Sequence, residues 1–245
     1  MEQINKIIKT IEEFAPLSTA QKWDNSGWQI NLGKKEVSKI LLALDVTPAS
    51  VDEAIKKKCD LILSHHPVFF DNIKVIDAPF IIKAIKHNIQ IYSAHTNLDI
   101  AKGGVSEFLA EKCGFTELDT AFEFIKYKQF EEEKNFSKLV STLKTIFSLS
   151  SLRVVNSNRK TYKSIAFCSG SGAEFIQDLE KIGIDVFITG DLKHHQALSA
   201  SNMTIIDLGH FHSERFVVEI FKNILKDEDV EIVAATEKPA WEMLY

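Results

Sequence analysis

The chain has 245 residues, of which 45% are hydrophobic and 26% charged, with only 10 Gly and 5 Pro; this balance is ordinary for a globular protein and excludes collagenous and low-complexity classes. Its 34 acidic against 29 basic residues leave a formal net charge of −5, which argues against nonspecific nucleic-acid binding, a process that relies on a basic surface. The longest apolar runs, such as residues 40–44 and 165–168, fall well short of the ~20 residues a membrane span needs; with no signal-peptide core near the start, a cytoplasmic protein without membrane partners is expected.

Ile4, Ile7, Ile8, Ile11 and Phe14 recur at helical spacing, so an amphipathic helix opens the chain and Pro16 closes it. The polar stretch around WDNSGW leads to a buried strand at 40–46, and a helix follows from Pro48, whose backbone suits a first turn. A second strand at 60–64 ends at His65-His66-Pro67. A helix over about 79–87 precedes a third strand, 89–94, which ends at His95, and the next helix begins near Gly104. The charged segment 127–138 belongs to a connecting helix or hairpin. Beyond it the order repeats: strand 164–168, helix 173–181, strand 185–189, helix 194–200, strand 203–208 and a long helix over 214–225. Strands alternating with helices imply right-handed crossovers and largely parallel pairing, an α/β fold.

The two halves look like copies. Asp45 and Ser169 both end a first strand, 124 residues apart; DLILS at 60–64 and DVFIT at 185–189 match at an offset of 125. The third strands end in HTNLD at 95–99 and HFHSE at 210–214, at an offset of 115. The expected organisation is a first α/β lobe over residues 1–120, a connecting segment over 121–160 and a second α/β lobe over 161–245.

Ligands of α/β sheets bind outside the carboxyl ends of the strands. Seven of the eight histidines fall just after such ends: His65, His66, His95, His194, His195, His210 and His212; only His87 does not. Asp99, Asp191 and Glu214 lie with them. Imidazoles with carboxylates suit a divalent transition metal, and the lack of paired cysteines argues against a structural zinc site. Cys59, Cys113 and Cys168 lie more than fifty residues apart and are expected as buried hydrophobes. If both halves contribute, two ions ~3.5–4 Å apart are expected.

SHHPVFF at 64–70, SAHTNLDIAKGG at 93–104, FITGDLKHHQA at 187–197 and GHFHSER at 209–215, with WDNSGWQI at 23–30 and LLALDVT at 41–47, resemble the family of Ngg1-interacting-factor-like proteins, whose bacterial members carry the name GTP cyclohydrolase 1 type 2 homolog. The resemblance covers essentially the whole chain. It implies two similar α/β lobes, a di-metal centre in the cleft between them and a ring-shaped homohexamer. Carried across position by position, the metal ligands fall on His65, His66, Asp99, His210 and Glu214. His95 and His195 match further family histidines and are expected to carry protons or touch substrate, while His194 and His212 are left as solvent-facing neighbours. The implied cofactor is two divalent ions per subunit, among Zn, Mn, Fe and Co. The implied activity is hydrolysis of a nucleotide or other phosphorylated small molecule, in its most specific form the conversion of GTP to dihydroneopterin triphosphate. The alternative is a non-catalytic metal-binding ring protein with a regulatory or partner-binding role, and DNA binding ranks below both because the chain is acidic.

Two glycine-containing stretches invite a phosphate-binding reading. Gly103-Gly104 lacks any phosphate-loop pattern and reads better as a tight turn. Ser169-Gly-Ser-Gly172 follows a strand and precedes a helix, so a phosphate cradle stands against an ordinary turn there. Trp23, Asp24 and Asn25 either line the cleft or, in the case of Trp23 with Trp28, cap the core. The run Glu131 to Lys134 reads as a solvated face.

Overall fold

The computed structural model describes residues 2–70 and 73–241, and the chain folds as two units. One runs to Gly104 and takes up again at Val217–Lys238; the other is Val105–Phe216 with residues 239–241. In the first unit the strands are β1 (Glu2–Gln3), β2 (Gly27–Ile30), β3 (Glu36–Val37), β4 (Lys39–Ala43), β5 (Leu61–Ser64) and β6 (Gln90–Ser93), with helices α1 (Ile4–Phe14), α2 (Pro48–Lys57), α3 (Pro79–Lys86) and α4 (Thr96–Ile100). β4, β5 and β6 pair in parallel, and β2 joins antiparallel outside β6. Their apolar residues are buried on both faces, as strands covered by helices on either side require. On one face Leu41, Ala43, Ile62 and Ile91 pack with Val51 and Ala54 of α2 and Ile81 and Ala84 of α3. Helix α2 starts where it does because Thr47 and Ser50 form a reciprocal capping box ahead of Pro48 in the first turn.

The second unit holds strands β7 (Asp119–Phe122), β8 (Ile125–Asn135), β9 (Arg153–Val155), β10 (Thr161–Phe167), β11 (Val186–Thr189) and β12 (Thr204–Asp207), with helices α5 (Val105–Lys112), α6 (Phe136–Phe147), α7 (Ile176–Lys181), α8 (His194–Ala197) and α9 (His210–Glu214). The sheet order is β7-β8-β10-β11-β12-β9. Only β10, β11 and β12 run parallel; β7, β8 and β9 are antiparallel additions. One face of the sheet (Ile165, Phe167, Val186, Ile188, Ile206) buries Leu109 of α5 and Leu139, Leu143 and Phe147 of α6. The other face (Ala166, Phe187, Ile205) buries Ile176 and Leu179 of α7.

The chain then returns to the first unit with α10 (Val217–Ile224) and β13 (Glu231–Ala234). The isoleucines of α1 at 4, 7, 8 and 11 form its buried face, and α10 packs on α1 and β4 with Val217, Ile220 and Phe221 buried. Strand β13 pairs in parallel with β4 and completes a five-stranded sheet of order β13-β4-β5-β6-β2.

The fold is α/β, as expected, and both sheets are built on a parallel trio with an antiparallel strand beside the third member. A shared polar device supports a duplication. Asp60, just before β5, accepts from the backbone of Ser38 and Lys39 and pairs with Lys34 at 2.7 Å. Asp185, just before β11, accepts from the backbone of Lys163 and Ser164 and pairs with Arg159 at 2.8 Å. Each carboxylate ties the start of a second strand to the start of the first.

The partition differs from the boundaries expected at 120 and 160. Residues 119–155 supply β7, β8, α6 and β9 of the second unit itself, because the parallel trio there needs antiparallel neighbours to cover its edges. The last strand belongs to the first unit. The helix expected near Gly104 is preceded by α4, which starts directly after His95, and the helix expected over 214–225 is α10 (Val217–Ile224), with the separate short helix α9 ahead of it. Among the described residues no helix is long and apolar enough to cross a membrane.

Candidate metal-binding residues

In the first unit the parallel ladder continues past β5 and carries two histidines with it: His65 N donates to Ala43 O and His66 N to Leu44 O, at 3.1 and 3.0 Å. The serines that end β5 and β6 lock the turn, since Ser64 Oγ and Ser93 Oγ both donate to His66 O. Pro67 then ends the extended run, as Pro does at a sheet boundary. At the end of β6, Ala94 N donates to Ser64 O, which sets His95 beside them. The three imidazole rings lie with centroids 5.0–5.4 Å apart, and one ring nitrogen from each lies within 4.8 Å of the others, close enough to share an ion.

Every one of these rings is held by its Nδ1. His65 Nδ1 lies 2.8 Å from Ala94 O, His66 Nδ1 2.8 Å from Asp45 Oδ1 and His95 Nδ1 2.8 Å from Asp24 Oδ1. A backbone carbonyl or an ionised carboxylate can only accept, so each Nδ1 carries the proton and each Nε2 is left as a lone-pair donor. That is the arrangement by which carboxylates and carbonyls orient metal-ligating histidines. Asp99, one helical turn beyond His95 on α4, is buried, and its Oδ1 lies 3.5 Å from His65 Nε2.

Asp24 is the most constrained of the supporting acids. Burial by itself would raise its pKa, but hydrogen bonds from His95, Thr96 and Ser26 outweigh that and hold the carboxyl well below its ordinary range. It is therefore a fixed anion that favours a protonated His95 Nδ1. On the far side of His66, Glu237, beyond β13, accepts from the backbone of Leu44 and Asp45; burial pushes its carboxyl up. Around His95 stand two exposed aromatics, Trp23 at 63% and Phe70 at 51% exposure, with ring centroids 6.0 and 5.8 Å away in edge-on geometry. Trp23 thus does not cap the core; Trp28 does pack inward, edge-on against Tyr92.

In the second unit His210 and Glu214 lie four apart on α9, and this spacing puts both side chains on one face, with His210 Nε2 2.8 Å from Glu214 Oε2. His210 Nδ1 is held at 2.9 Å by Asp191 Oδ2, the same pattern as in the first unit. Two glycines make this possible. A Cβ at Gly170 would collide with Glu214 Oε1, and one at Gly190 would lie 2.8 Å from the backbone of Gly170 and His210. The backbones at the ends of the parallel trio therefore approach closely, and Gly190 N donates to Gly170 O at 2.7 Å.

The glycine-containing stretches are turns. In Ser169–Gly172 the amides of Ser169, Gly170 and Gly172 donate to the hydroxyls of Ser106, Ser213 and Thr189, which leaves those three unable to cradle a phosphate. Gly104 N closes onto Ala101 O. His195 sits exposed on α8 with His194; among the described residues no hydrogen bond or ion pair joins it to His210, Glu214 or Asp191. His212 is half-buried against Phe211 rather than solvent-facing, and burial together with Arg215 lowers its pKa. Sequence reading missed Asp45 and Glu237 and the supporting role of Asp24. The only available signal was that Asp45 follows a strand end and Asp24 lies in WDNSGW.

The chain matches the family profile Duf34/NIF3 (NGG1p interacting factor 3) over residues 2–239. It is 32% identical over 253 residues to a Clostridium perfringens protein named GTP cyclohydrolase 1 type 2 homolog, covering 96% of this chain and 97% of that one. It is 27% identical over 271 residues to the Saccharomyces cerevisiae protein NGG1-interacting factor 3, covering 95% and 94%. Among solved structures, Staphylococcus aureus hypothetical protein SA1388 superposes with a TM-score of 0.89 at 25% identity, covering 99% of each chain.

Proposed function

The chain belongs to the Duf34/NIF3 family, and from that premise we propose that it is a divalent-metal-dependent hydrolase acting on a nucleotide or related phosphorylated heterocycle. The observation that carries the proposal is the Nδ1 anchoring of His65, His66 and His95, which leaves each Nε2 free of its proton, with His210 Nδ1 anchored in the same way by Asp191. Histidine Nε2 atoms with carboxylates and no thiolate fit Zn, Mn, Fe or Co. The proposed ligands are His65, His66 and Asp99 with His210 and Glu214. Bound divalent cations would supply Lewis acidity, activating water and taking up negative charge that develops on a substrate oxygen.

The chain's own groups do the rest. Asp45, Asp24 and Asp191 keep the Nδ1 protons in place and fix the rings against rotation. His95, outside the proposed ligand set, is the proton carrier: Nε2 takes a proton, and Asp24 across the ring stabilises the imidazolium that results. Trp23 and Phe70 flank that histidine and offer a flat heterocycle apolar surface next to it. His195 has no part in this proposal. The name of the Clostridium relative supports GTP as the first substrate to test. The name of the yeast relative favours a second reading, a metal-binding protein whose function is to bind a partner. Assembly into a ring of six copies belongs to the proposal, and light scattering of the purified protein is its check.

The experiment strips the protein, reloads it with each metal in turn and assays GTP, dinucleotides and generic phosphoesters, beside a His65→Ala/Glu214→Ala double variant. Metal-dependent turnover that the double variant loses, together with its bound metal, is expected. Absence of turnover with retained metal would favour the partner-binding reading. Equal turnover by both proteins would overturn the proposal.

A further inference from the structure

A cleft of about 390 Å³ in the second unit lies apart from His210 and Glu214 and is lined by α5's exit, β8, the start of α6 and Tyr162 of β10. Its size falls within the range of small-molecule sites. The strand β8 bulges between Gln129 and Lys134, where its register on β10 shifts, and Phe130 and Lys134 enter the lining on that bulge. Phe130 stacks edge-on with Tyr162 at 5.9 Å and meets Phe115 at 6.0 Å, so the cleft has an aromatic wall.

Its charge is the opposite of the chain's. The protein is net acidic, yet the lining contains Lys128, Lys134 and Lys138 and no carboxylate. Lys128 is engaged, donating to Thr116 O with Glu117 3.5 Å away. Lys134 and Lys138 form no ion pair among the described residues, and Lys134 Nζ instead lies 5.3 Å from the centre of the Phe130 ring. Lys138 occupies the first turn of α6, which has no acidic residue, and its amide is capped by Asn135. A cation at the positive end of a helix is unfavourable on its own, and a bound anion would relieve it.

We propose that this cleft binds a small anionic ligand built on a flat aromatic ring, an aryl or nucleoside phosphate. The phosphate lies between Lys134 and Lys138 and the ring lies against Phe115 and Phe130. The proposal is independent of the metal-binding residues. Isothermal titration calorimetry on metal-free protein with AMP, adenosine and inorganic phosphate tests it. AMP is expected to bind saturably to the wild type and equally to the His65→Ala/Glu214→Ala variant. Adenosine and phosphate are each expected to bind at least tenfold more weakly than AMP. A Lys134→Glu/Lys138→Glu variant, altered only at exposed positions and checked for folding by circular dichroism, is expected to lose at least tenfold in AMP affinity. Unchanged affinity in that variant, loss only in the His65→Ala/Glu214→Ala variant, or phosphate binding as tightly as AMP would overturn it.

Discussion

Gly170→Ala separates two costs that the structure puts on one residue. Gly170 has φ of +61°, a left-handed conformation, and a Cβ there would collide with Glu214 Oε1 and come within 3.2 Å of Glu214 Cδ. The backbone cost of alanine in that region is about 1–2 kcal/mol. Glu214 is buried and held against His210 at 2.8 Å, so displacing its carboxylate forfeits a charge-assisted contact of roughly 1.5–3 kcal/mol. Gly183 supplies the control: its φ is +77°, and nothing lies within 4 Å of a Cβ built there. Urea unfolding followed by circular dichroism should therefore show Gly170→Ala destabilising by about 3–5 kcal/mol and Gly183→Ala by about 1–2 kcal/mol. In a Glu214→Ala background the cost of Gly170→Ala should fall to that of Gly183→Ala, the difference being the coupling between the two sites. Equal costs for the two alanines, or a Gly170→Ala cost that Glu214→Ala does not change, would refute the reasoning.

Asp60 is held at about 2 against an ordinary 3.8: burial raises it, and the hydrogen bonds from Lys34 and Ser38 more than reverse that. Because its folded pKa is depressed, its contribution is fully present above about pH 4 and is lost as pH falls toward 2. Asp60→Asn should cost about 1–2 kcal/mol at pH 7 after allowance for water over the partly open pair, and most of that cost should be gone by pH 2, where the folded carboxyl is half protonated; a pH-independent difference in urea unfolding would contradict it. The thiols of Cys59 and Cys113 are pushed up by burial to about 11 and about 12. Native protein at pH 8 should therefore leave both unalkylated by iodoacetamide while urea-unfolded protein labels both, as mass spectrometry reads directly; fast native labelling would show the burial to be wrong. Asp191→Ala removes the acceptor of His210 Nδ1 and should weaken metal uptake roughly 10–100-fold, measured by titration against a chelator; unchanged affinity would remove Asp191 from its supporting role.

Much of the fold was legible because its signals are local. The isoleucine spacing of α1, the apolar runs of β4, β5, β10, β11 and β12, and Thr47-Pro48 at the start of α2 each state their structure within a few residues. The candidate histidines were legible for the same reason, since each follows a strand whose end could be placed. Strand β13 could not be read this way. Glu231–Ala234 is short with a charged start, and its reason to be extended is pairing with β4 almost two hundred residues earlier. The β7–β8 hairpin and β9 were likewise hidden, because they exist to flank a parallel trio rather than to satisfy their own pattern.

The amino-acid order alone determined the α/β alternation, the repeated strand–His–acid pattern and the residue types that suit a divalent cation. Only the tertiary structure decided which acids serve which rings: Asp24 for His95, Asp45 for His66 and Asp191 for His210. It alone also decided that the Ser169–Gly172 turn makes room for Glu214 rather than holding a phosphate. The physical reason is that periodicity encodes which face of an element is buried, whereas a hydrogen bond across 71 residues, as between Asp24 and His95, leaves no trace in the spacing of either partner.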